Sequence, residues 1–339
     1  MLLADLVAAS EAVRSTAARK AKTTALAAAL AALDPTEVAA GAAFLSGEAR
    51  QRPLGVGWAA IRQLPPPADT PQLTVGAVDQ ALEQIATVSG PGSQTERRRL
   101  LDALFGRATS GEQGFLRGLI TGELRHGALQ ALVADAVALA AHVSVTDVRR
   151  ALMLSGDLGL TAGLALHQGA AALRAVTLRV GTPVQPMLAS PATTVAAAIA
   201  ITGEAAVERK LDGVRIQVHR DGDDVKVYTR SLDDITDRVP EIVEAVHSLP
   251  VSQAVFDGEA IALKPDGRPR PFQETASRIG SRVDVGTARD TLPLTTYLFD
   301  VLHLDGTDLL DLPGANRWTR LADVVPEDQR VPRLVTDDP

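Results

Sequence analysis

The sequence predicts a multidomain protein in which an all-α domain precedes an α+β domain. Two observations predict this order. Up to about residue 175, apolar residues recur at intervals of three and four, as they do in amphipathic helices. From about residue 176, β-rich runs alternate with Asp-Gly turns. We therefore expect a helical domain over residues 1–175, a linker over 176–186 and an α+β domain over 187–339.

Helical spacing runs through most of the first domain. Ser144 is expected at a helix start, and Gly122, Gly127 and Gly156 are expected at helix ends. The proline cluster at 64–71 predicts a loop. The segments that carry the spacing are TTALAAALAAL (23–33), VDQALEQIATV (78–88), ERRRLLDALFGRA (96–108), GEQGFLRGLITGEL (111–124), GALQALVADAVALAA (127–141) and TDVRRALMLSG (146–156).

Strand patterns dominate the second domain. An extended connector, VTLRVGTPVQPML, covers residues 176–188. The β-rich runs are RIQVHRDGDDVKVYTR (215–230), AVFDGEAIALKPDGRP (254–269) and TTYLFDVLHLDGTDLL (295–310). Because Asp-Gly favours tight turns between antiparallel strands, these runs predict hairpins within a mixed domain.

Composition excludes several classes of protein. The chain has no cysteine, which rules out disulfides, thiolate zinc sites and cysteine catalysis. Its start carries Asp5 where a secretory signal would carry positive charge, and the longest apolar run, 128–143, contains Gln130 and Asp135. We therefore expect a cytoplasmic protein without membrane segments. The net charge of -7 neither indicates nor excludes a nucleic-acid partner, since such binding depends on local basic surfaces.

One lysine stands out in a chain that otherwise uses arginine. Of 34 basic residues only five are lysine, namely Lys20, Lys22, Lys210, Lys226 and Lys264. Lys210 belongs to a K-x-D-G-x-R pattern at the junction of two predicted strands, a pattern that would match by chance only about 0.002 times in a chain of this length. An ordinary lysine at a strand edge is the alternative. A nitrogen nucleophile must lose a proton, which guanidinium cannot do in a protein, so Lys210 is predicted to be a nucleophile.

Four ordered motifs resemble those of the covalent nucleotidyltransferases, the superfamily of ATP-dependent DNA ligases, RNA ligases and capping enzymes. KLDGVR at 210–215 resembles the first motif, in which the lysine attacks the α-phosphorus of a nucleotide. YTRSLDDIT at 228–236, FDGEAIAL at 256–263 and YLFDVLHLDG at 297–306 resemble the motifs that follow. The resemblance implies an ATP-grasp-like adenylation domain, with ATP and Mg²⁺ as cofactors.

The resemblance assigns roles to the residues that match these motifs. Lys210 is the implied adenylated nucleophile, Glu208 the acceptor that recognises the adenine amino group, and Phe299 the ring that stacks on adenine. Alternatively, Glu208 is a solvated strand residue and Phe299 belongs to the core.

Further positions are implied to contact the rest of the nucleotide. Arg215 and Arg230 would contact ribose or phosphate, and Glu259 the ribose or a metal-bound water. Asp212 and Gly213 would support the lysine. The alternatives are a loop arginine at 230 and an ordinary tight turn at Asp212-Gly213.

The helical domain resembles the DNA-binding domain of one branch of ATP-dependent DNA ligases, the bacterial DNA ligase B type. The likeness to the DNA-binding domain is carried by FLRGLITGELRHGALQALVADAVALAA (115–141). The likeness to the DNA ligase B type is carried by FLSGEARQRPLGVGWAA (44–60) and, in the second domain, by RPRPFQETASRIG (268–280). Gly122, Gly127 and Arg125 are candidate phosphate contacts, as are Arg97 and Arg98, which precede Arg99 in a basic helix start. Solvated helix ends and a charged helix face are the alternatives.

The resemblance implies an ATP-dependent DNA ligase that acts as a monomer on nicked duplex DNA. It also implies a place in the bacterial cytoplasm, near the nucleoid, and a role in repair, replication, recombination and cell division. In that family a Glu-Gly motif, phosphate-binding lysines and an OB-fold domain follow, whereas nothing after Lys264 is a lysine and the chain stops at Pro339. We therefore expect an incomplete adenylation domain without an OB-fold, and weak self-adenylation. A non-catalytic nick-binding module and an RNA ligase remain alternatives.

Overall fold

The structure, a computed structural model, describes residues 1–51, 54–124, 130–187, 189–280 and 284–339, apart from the side chain of Ala59. The chain divides into two compact units, Met1–Thr177 and Leu178–Pro339. The first is helical and the second is α+β, so the predicted order of fold classes is confirmed. Among the described residues, no helix combines the length and the hydrophobicity needed to cross a membrane.

Helices form the first unit around one apolar core. Leu, Val, Ala and Phe side chains of all these helices are buried together. Helical stretches were predicted at α2 and from α4 to α8, and each is confirmed. The helices are α1 (Leu3–Arg14), α2 (Arg19–Ala31), α3 (Val38–Ser46), α4 (Val75–Thr87), α5 (Ser93–Phe105), α6 (Ser110–Thr121), α7 (Gln130–Ala140), α8 (Val145–Ser155) and α9 (Leu158–Arg174), with a 3₁₀ turn at Trp58–Ile61.

The predicted helix boundaries in this unit have clear local causes. The Ser144 hydroxyl accepts a hydrogen bond from the Thr146 N–H at the start of α8. Gly122 and Gly156 end α6 and α8 with φ of 71° and 66°, a left-handed conformation that favours glycine. The proline-rich residues 64–71 contain neither helix nor strand, as predicted.

The second unit is built on a five-stranded antiparallel sheet with strand order β3-β2-β4-β5-β6. The sheet strands are β2 (Val214–Asp221), β3 (Asp224–Thr229), β4 (Gln253–Ala262), β5 (Leu294–Leu304) and β6 (Thr307–Asp308). The unit also contains β1 (Ala205–Glu208), β7 (Arg333–Thr336), α10 (Val195–Thr202), α11 (Pro240–His247), α12 (Phe272–Gly280), α13 (Val285–Thr291) and α14 (Gly314–Val324). Strands β2 to β6 fall within the three predicted β-rich runs, except that β2, β4 and β5 each begin one residue earlier.

Two Asp-Gly pairs make the tight turns of this sheet. Gly222 lies between β2 and β3 and Gly306 between β5 and β6, with φ of 61° and 81°. Apolar side chains of β2 to β5 and of α11 are buried together, which fixes one face of the sheet against the helices.

A separate two-stranded sheet joins distant parts of the unit. β1 and β7 pair antiparallel, with Glu208 opposite Arg333. A strand before Lys210 was expected, but β7 and its pairing with β1 were not, because β7 has only four residues and the two strands are more than a hundred residues apart in the chain. This pairing brings the C-terminal segment of the chain beside the segment that carries Lys210.

Polar side chains of β2 and β3 hold the start of the unit against the sheet. Gln217 exchanges hydrogen bonds with the backbone of Val184 (N to Oε1, 2.7 Å; Nε2 to O, 3.2 Å). His219 Nδ1 accepts from the Gly181 N–H at 2.9 Å, and the Tyr228 hydroxyl donates to the Gly181 carbonyl at 2.7 Å. Burial, aided by the charge of His303, lowers the pKa of His219 from 6.5 to about 4. His219 is therefore neutral, as its acceptor role at Nδ1 requires.

Candidate active site

The residues that the motifs single out converge on one cleft of about 860 Å³ in the α+β unit. Its walls are formed by β2, β4 and β5, by the segment between β1 and β2, and by the turn after β3. Asp212, whose side chain is exposed, does not line it. The predicted residues that do are Glu208, Lys210, Gly213, Arg215, Arg230, Glu259 and Phe299.

Lys210 lies in the segment that connects β1 to β2, as the predicted strand junction requires. Its side chain is exposed and lines the cleft, and its Nζ lies 3.4 Å from the Leu211 carbonyl oxygen. This contact is long for a hydrogen bond to an ammonium group, so it holds the amine weakly. The amine is thus accessible to a molecule that occupies the cleft.

Gly213 brings the lysine segment against β4. Its N–H donates to Glu259 Oε1 at 3.0 Å. A Cβ at this position would lie 2.4 Å from the Ala260 carbonyl oxygen and 2.6 Å from Ile261 Cγ1. Only glycine therefore permits this approach, and its role is close packing rather than unusual backbone angles.

Glu259 is held at the floor of the cleft in a partly buried position. Burial raises the pKa of its carboxyl group. The hydrogen bond from Gly213 and the positive charges of Lys210 and Arg215 oppose this increase. One carboxylate oxygen is thus fixed by the backbone, while Oε2 has no hydrogen bond among the described residues.

Arg215 is oriented by a carboxylate that the motif comparison did not assign. Its Nε and Nη2 donate to Asp257 Oδ1 and Oδ2 at 3.0 and 2.5 Å, and these bonds raise the pKa of the guanidinium. Burial raises the pKa of Asp257, and Arg215 opposes that effect. The guanidinium carbon also lies 5.8 Å from the centre of the Phe299 ring. The pair fixes Arg215 beside the predicted base-stacking ring.

A second arginine–carboxylate pair continues this arrangement across the sheet. Asp300 lies opposite Asp257 in the register of β4 and β5. Arg317 of α14 binds both oxygens of Asp300 at 2.8 Å, and its pKa is raised by these bonds. Each of the neighbouring carboxylates therefore has its own guanidinium partner. Alternation along FDGE could have indicated that Asp257 faces the same side as Glu259. It could not have placed Asp300 beside Phe299, because the two are consecutive residues and the register of β4 and β5 shifts at this point.

Glu208 is paired with a residue from the end of the chain. Arg333 donates through both Nε and Nη2 to Glu208 Oε1, the Nε bond measuring 2.8 Å. The Arg333 guanidinium carbon lies 3.7 Å from the centre of the Trp318 ring. Glu208 is therefore not the freely solvated strand residue of the alternative interpretation.

Arg230 projects from a turn that closes β3. The Thr229 N–H donates to the Asp233 carbonyl at 3.0 Å, and the Thr229 and Ser231 hydroxyls lie 2.9 Å apart. Leu232 adopts a φ of 68° within this turn. The Arg230 side chain is exposed and lines the cleft, and no hydrogen bond or ion pair is found for it within the described ranges. It is thus available to a ligand.

The residues that the structure describes form no metal site from protein ligands alone. Within the described part of the chain, no group of three or more His, Asp or Glu side chains is arranged to hold a metal ion. Magnesium usually binds one or two carboxylates together with substrate phosphates and water. The unpartnered Oε2 of Glu259 in the cleft fits that mode.

The predicted DNA contacts of the helical unit differ in their surroundings. Arg97 Nη2 donates to the Val88 carbonyl, and Arg98 donates to the carbonyls of Ala60 and Gln63 at 3.0 and 2.6 Å. The Gly122 N–H donates within α6, to the Leu119 and Gly118 carbonyls, at the C-terminal end of the helix. That N–H is therefore engaged, which corrects the idea that it is free for a phosphate. Arg125 and Gly127 lie outside the described residues.

Sequence reasoning missed several residues of the cleft. Phe272, at the start of α12, is 41% exposed and lines it, as does Val331. Phe272 was quoted only as part of a family likeness, and an aromatic at the solvent-exposed start of a helix is the signal that could have found it. Val331 gave no such signal, because the hydrogen bond from its N–H to the Leu298 carbonyl depends on the tertiary fold.

Family comparisons match both units. The family described as "ATP dependent DNA ligase domain" matches residues 186–337, and "DNA ligase N terminus" matches residues 59–138. A protein named "DNA ligase B" from Mycobacterium tuberculosis (strain CDC 1551 / Oshkosh) is 52% identical over 342 residues, which cover 100% of this chain and 67% of that protein.

The chain belongs to the ATP-dependent DNA ligase family.

Other relatives agree with this membership. A "Probable DNA ligase" from Mycobacterium sp. (strain KMS) is 54% identical over 343 residues, or 100% of this chain and 65% of the relative. The chain thus spans about two thirds of the length of these relatives. A solved structure named "Pmar-Lig_Pre." covers 98% of this chain and 67% of its own, with a TM-score of 0.53 and 13% identity. That likeness concerns the fold alone.

Proposed function

We propose that this chain is the DNA-binding and nucleotide-binding part of an ATP-dependent DNA ligase, in which Lys210 takes AMP from ATP. The observation that carries the proposal is the cleft itself. Residues from four separate motifs, far apart in sequence, line one cavity with the Lys210 amine at its wall. Family membership gives the reaction class, and this arrangement supplies a place for it.

Lys210 provides the nucleophile of the first step. The amine loses a proton and attacks the α-phosphorus of ATP, so that a P–N bond forms while the P–O bond to pyrophosphate breaks. The resulting AMP then passes to a 5′-phosphate at a nick, and the neighbouring 3′-hydroxyl displaces it. Arginine at position 210 could not perform the first step, because guanidinium keeps its protons.

Nucleotide recognition falls to the side chains around the lysine. Glu208 accepts a hydrogen bond from the adenine amino group, and Phe299 stacks on the base. Arg215, fixed by Asp257, and Arg230, which has no partner among the described residues, bind ribose or phosphate. A prealigned guanidinium favours binding, since less side-chain entropy is lost when the ligand arrives.

Magnesium would be held between the ATP phosphates and Glu259. When bound there, it would neutralise phosphate charge as the α-phosphorus is attacked. Glu259 is placed for this role by the Gly213 N–H, which occupies Oε1 and leaves Oε2 without a hydrogen bond among the described residues. A Glu259→Gln variant would keep the size of the side chain and lose the charge.

The helical unit would bind nicked duplex DNA through the phosphates of the DNA backbone. The protein would act as a monomer in the cytoplasm, near the nucleoid. Its sealing of nicks would serve repair, replication and recombination. Arg97 and Arg98 pair inside the unit, so a contact with DNA would require them to share or exchange these bonds. Arg125 and Gly127 remain candidates.

Incubation with α-labelled ATP and Mg²⁺ tests the first step. Label should become attached to the unchanged chain and disappear in Lys210→Ala and Lys210→Arg. Lys264→Arg is the matched control, because Lys264 lies outside the cleft. Labelling of Lys210→Arg equal to that of the unchanged chain would refute the proposal.

Nick sealing separates this proposal from its alternatives. A ligase should seal nicked duplex DNA with ATP, whereas tight nick binding without label or sealing would indicate a non-catalytic nick-binding module. Preference for a ribose at the 3′ end, with joining that survives removal of residues 1–175, would indicate an RNA ligase.

A further inference from the structure

In the Glu208–Arg333 ion pair, the guanidinium binds only one of the two carboxylate oxygens. Both donors, Nε and Nη2 of Arg333, bind the same carboxylate oxygen, Oε1. Glu208 Oε2 makes no hydrogen bond with any described residue. A paired guanidinium would ordinarily engage both oxygens of a carboxylate in parallel, as Arg317 does with Asp300.

Arg333 is itself held from two sides. It is the first residue of β7, directly opposite Glu208 in the β1–β7 pairing. Its guanidinium carbon lies 3.7 Å from the centre of the Trp318 ring, which is close enough for a strong cation–π contact. Only 15% of the Arg333 side chain is exposed, against 29% for Glu208. The arginine is therefore a fixed support, and the carboxylate is the group that it orients.

We propose that Arg333 is a positioning residue for purine recognition, which orients Glu208 so that Oε2 alone faces the cleft as an acceptor. This inference depends on the proposed function, since it assumes that a nucleotide base occupies the cleft. Glu208 lines that cleft, whereas Arg333 does not, so Arg333 acts through Glu208 rather than on the ligand.

The arrangement predicts which purines are accepted. A 6-amino purine such as adenine offers an N–H donor to Oε2. A 6-oxo purine offers a carbonyl oxygen there, and two acceptors facing each other repel. Without Arg333, the Glu208 side chain would rotate among several rotamers, and the carboxylate would meet the amino group only in some of them.

Calorimetric titration of the full chain tests this inference with two probes. One probe is ATP and the other is purine riboside 5′-triphosphate, which lacks the 6-amino group. Arg333→Met should weaken ATP binding about tenfold while leaving binding of the 6-deamino probe unchanged, because only ATP uses the oriented oxygen. Arg333→Lys, which keeps the charge but offers no planar fork, should shift the ratio of the two affinities in the same direction. If Arg333→Met does not fold, the Arg333→Lys variant alone tests the inference.

A double-variant comparison separates positioning from a general structural effect. If Arg333 acts through Glu208, Arg333→Met should cause no further loss of ATP affinity in a Glu208→Ala background. Equal weakening of both probes by Arg333→Met, or full additivity with Glu208→Ala, would overturn the inference while leaving the nucleotide site in place. If the unchanged chain bound neither probe, the proposed function would fail, and this inference with it.

Discussion

Replacing Gly213 by alanine should destabilise the α+β unit and disturb its cleft at the same time. The new Cβ would lie 2.4 Å from the Ala260 carbonyl oxygen, 2.6 Å from Ile261 Cγ1 and 3.0 Å from Glu259 Cγ. The nearest of these is backbone in the central part of β4, which cannot move aside as a flexible side chain can. The lysine segment must therefore move away from β4.

That movement has two costs. Overpacking of this kind typically costs about 1–3 kcal/mol. Separation also breaks the hydrogen bond from the Gly213 N–H to the Glu259 carboxylate, and a bond to a charged group is worth about 1.5–3 kcal/mol. Since one displacement relieves the clash and loses the bond, we expect a total of about 3 kcal/mol, or a Tm lower by about 6–12 °C for a domain of this size.

Thermal unfolding followed by tryptophan fluorescence measures this effect. The chain has two tryptophans, Trp58 and Trp318, so a Trp58→Phe background reports on the α+β unit alone. Gly286→Ala is the matched control, because a Cβ there meets only Asp284 Oδ1, at 3.9 Å. The reasoning is refuted if Gly213→Ala unfolds at the same temperature as Gly286→Ala.

Three other perturbations follow from the same contacts. The pKa of His219 is about 4 in the folded chain and has its ordinary value of 6.5 in the unfolded chain, so the unfolded chain binds the proton first as the pH falls. Urea denaturation should therefore show a free energy of unfolding that decreases by about 3 kcal/mol between pH 6.5 and 4. In His219→Gln this pH dependence should be absent. Arg215→Met should cost about 3 kcal/mol near neutral pH by leaving Asp257 buried and unpaired. Since burial raises the folded pKa of Asp257 above its unfolded value, this loss should shrink as the pH falls and protonation removes the charge; a constant loss would count against the assignment. Arg98→Ala should lower the free energy of unfolding of the helical unit by about 1–2 kcal/mol, because the hydrogen bonds to two backbone carbonyls are lost. Arg99→Ala breaks only an exposed ion pair with Glu96 and should leave the free energy of unfolding unchanged.

Local signals in the sequence were enough to predict about half of the helices and strands. The three- and four-residue spacing predicted α4 to α8, and Asp-Gly pairs placed the turns at Gly222 and Gly306. These features depend on residues close together in the chain. The helix α10, with the sequence VAAAIAIT, was not predicted. Its residues are apolar all round, so it shows little of the periodicity that indicates a helix.

In the candidate site, too, residues within local motifs could be predicted from the sequence, whereas residues that depend on tertiary contacts could not. Lys210, Arg215 and Glu259 lie in motifs with a chemical reason for each residue type, and the structure brings them to one cleft. Arg333 could not be found from the sequence, because its role depends on the pairing of β1 with β7. The charge run that contains Arg98 suggested a DNA contact, whereas the structure shows hydrogen bonds from Arg98 to the carbonyls of Ala60 and Gln63, in and just after the 3₁₀ turn. Sequence gives the charge of a side chain but not its partner.

Identification of the adenylated residue tests the central claim most directly. After incubation of the full chain with ATP and Mg²⁺, peptide mass spectrometry can assign AMP to one of the five lysines, and the other four serve as internal controls. AMP attached to Lys210 alone, at whatever low occupancy, is the result that we predict. AMP on another residue, or on Lys210 no more than on the other lysines, would contradict the assignment of Lys210 as the nucleophile.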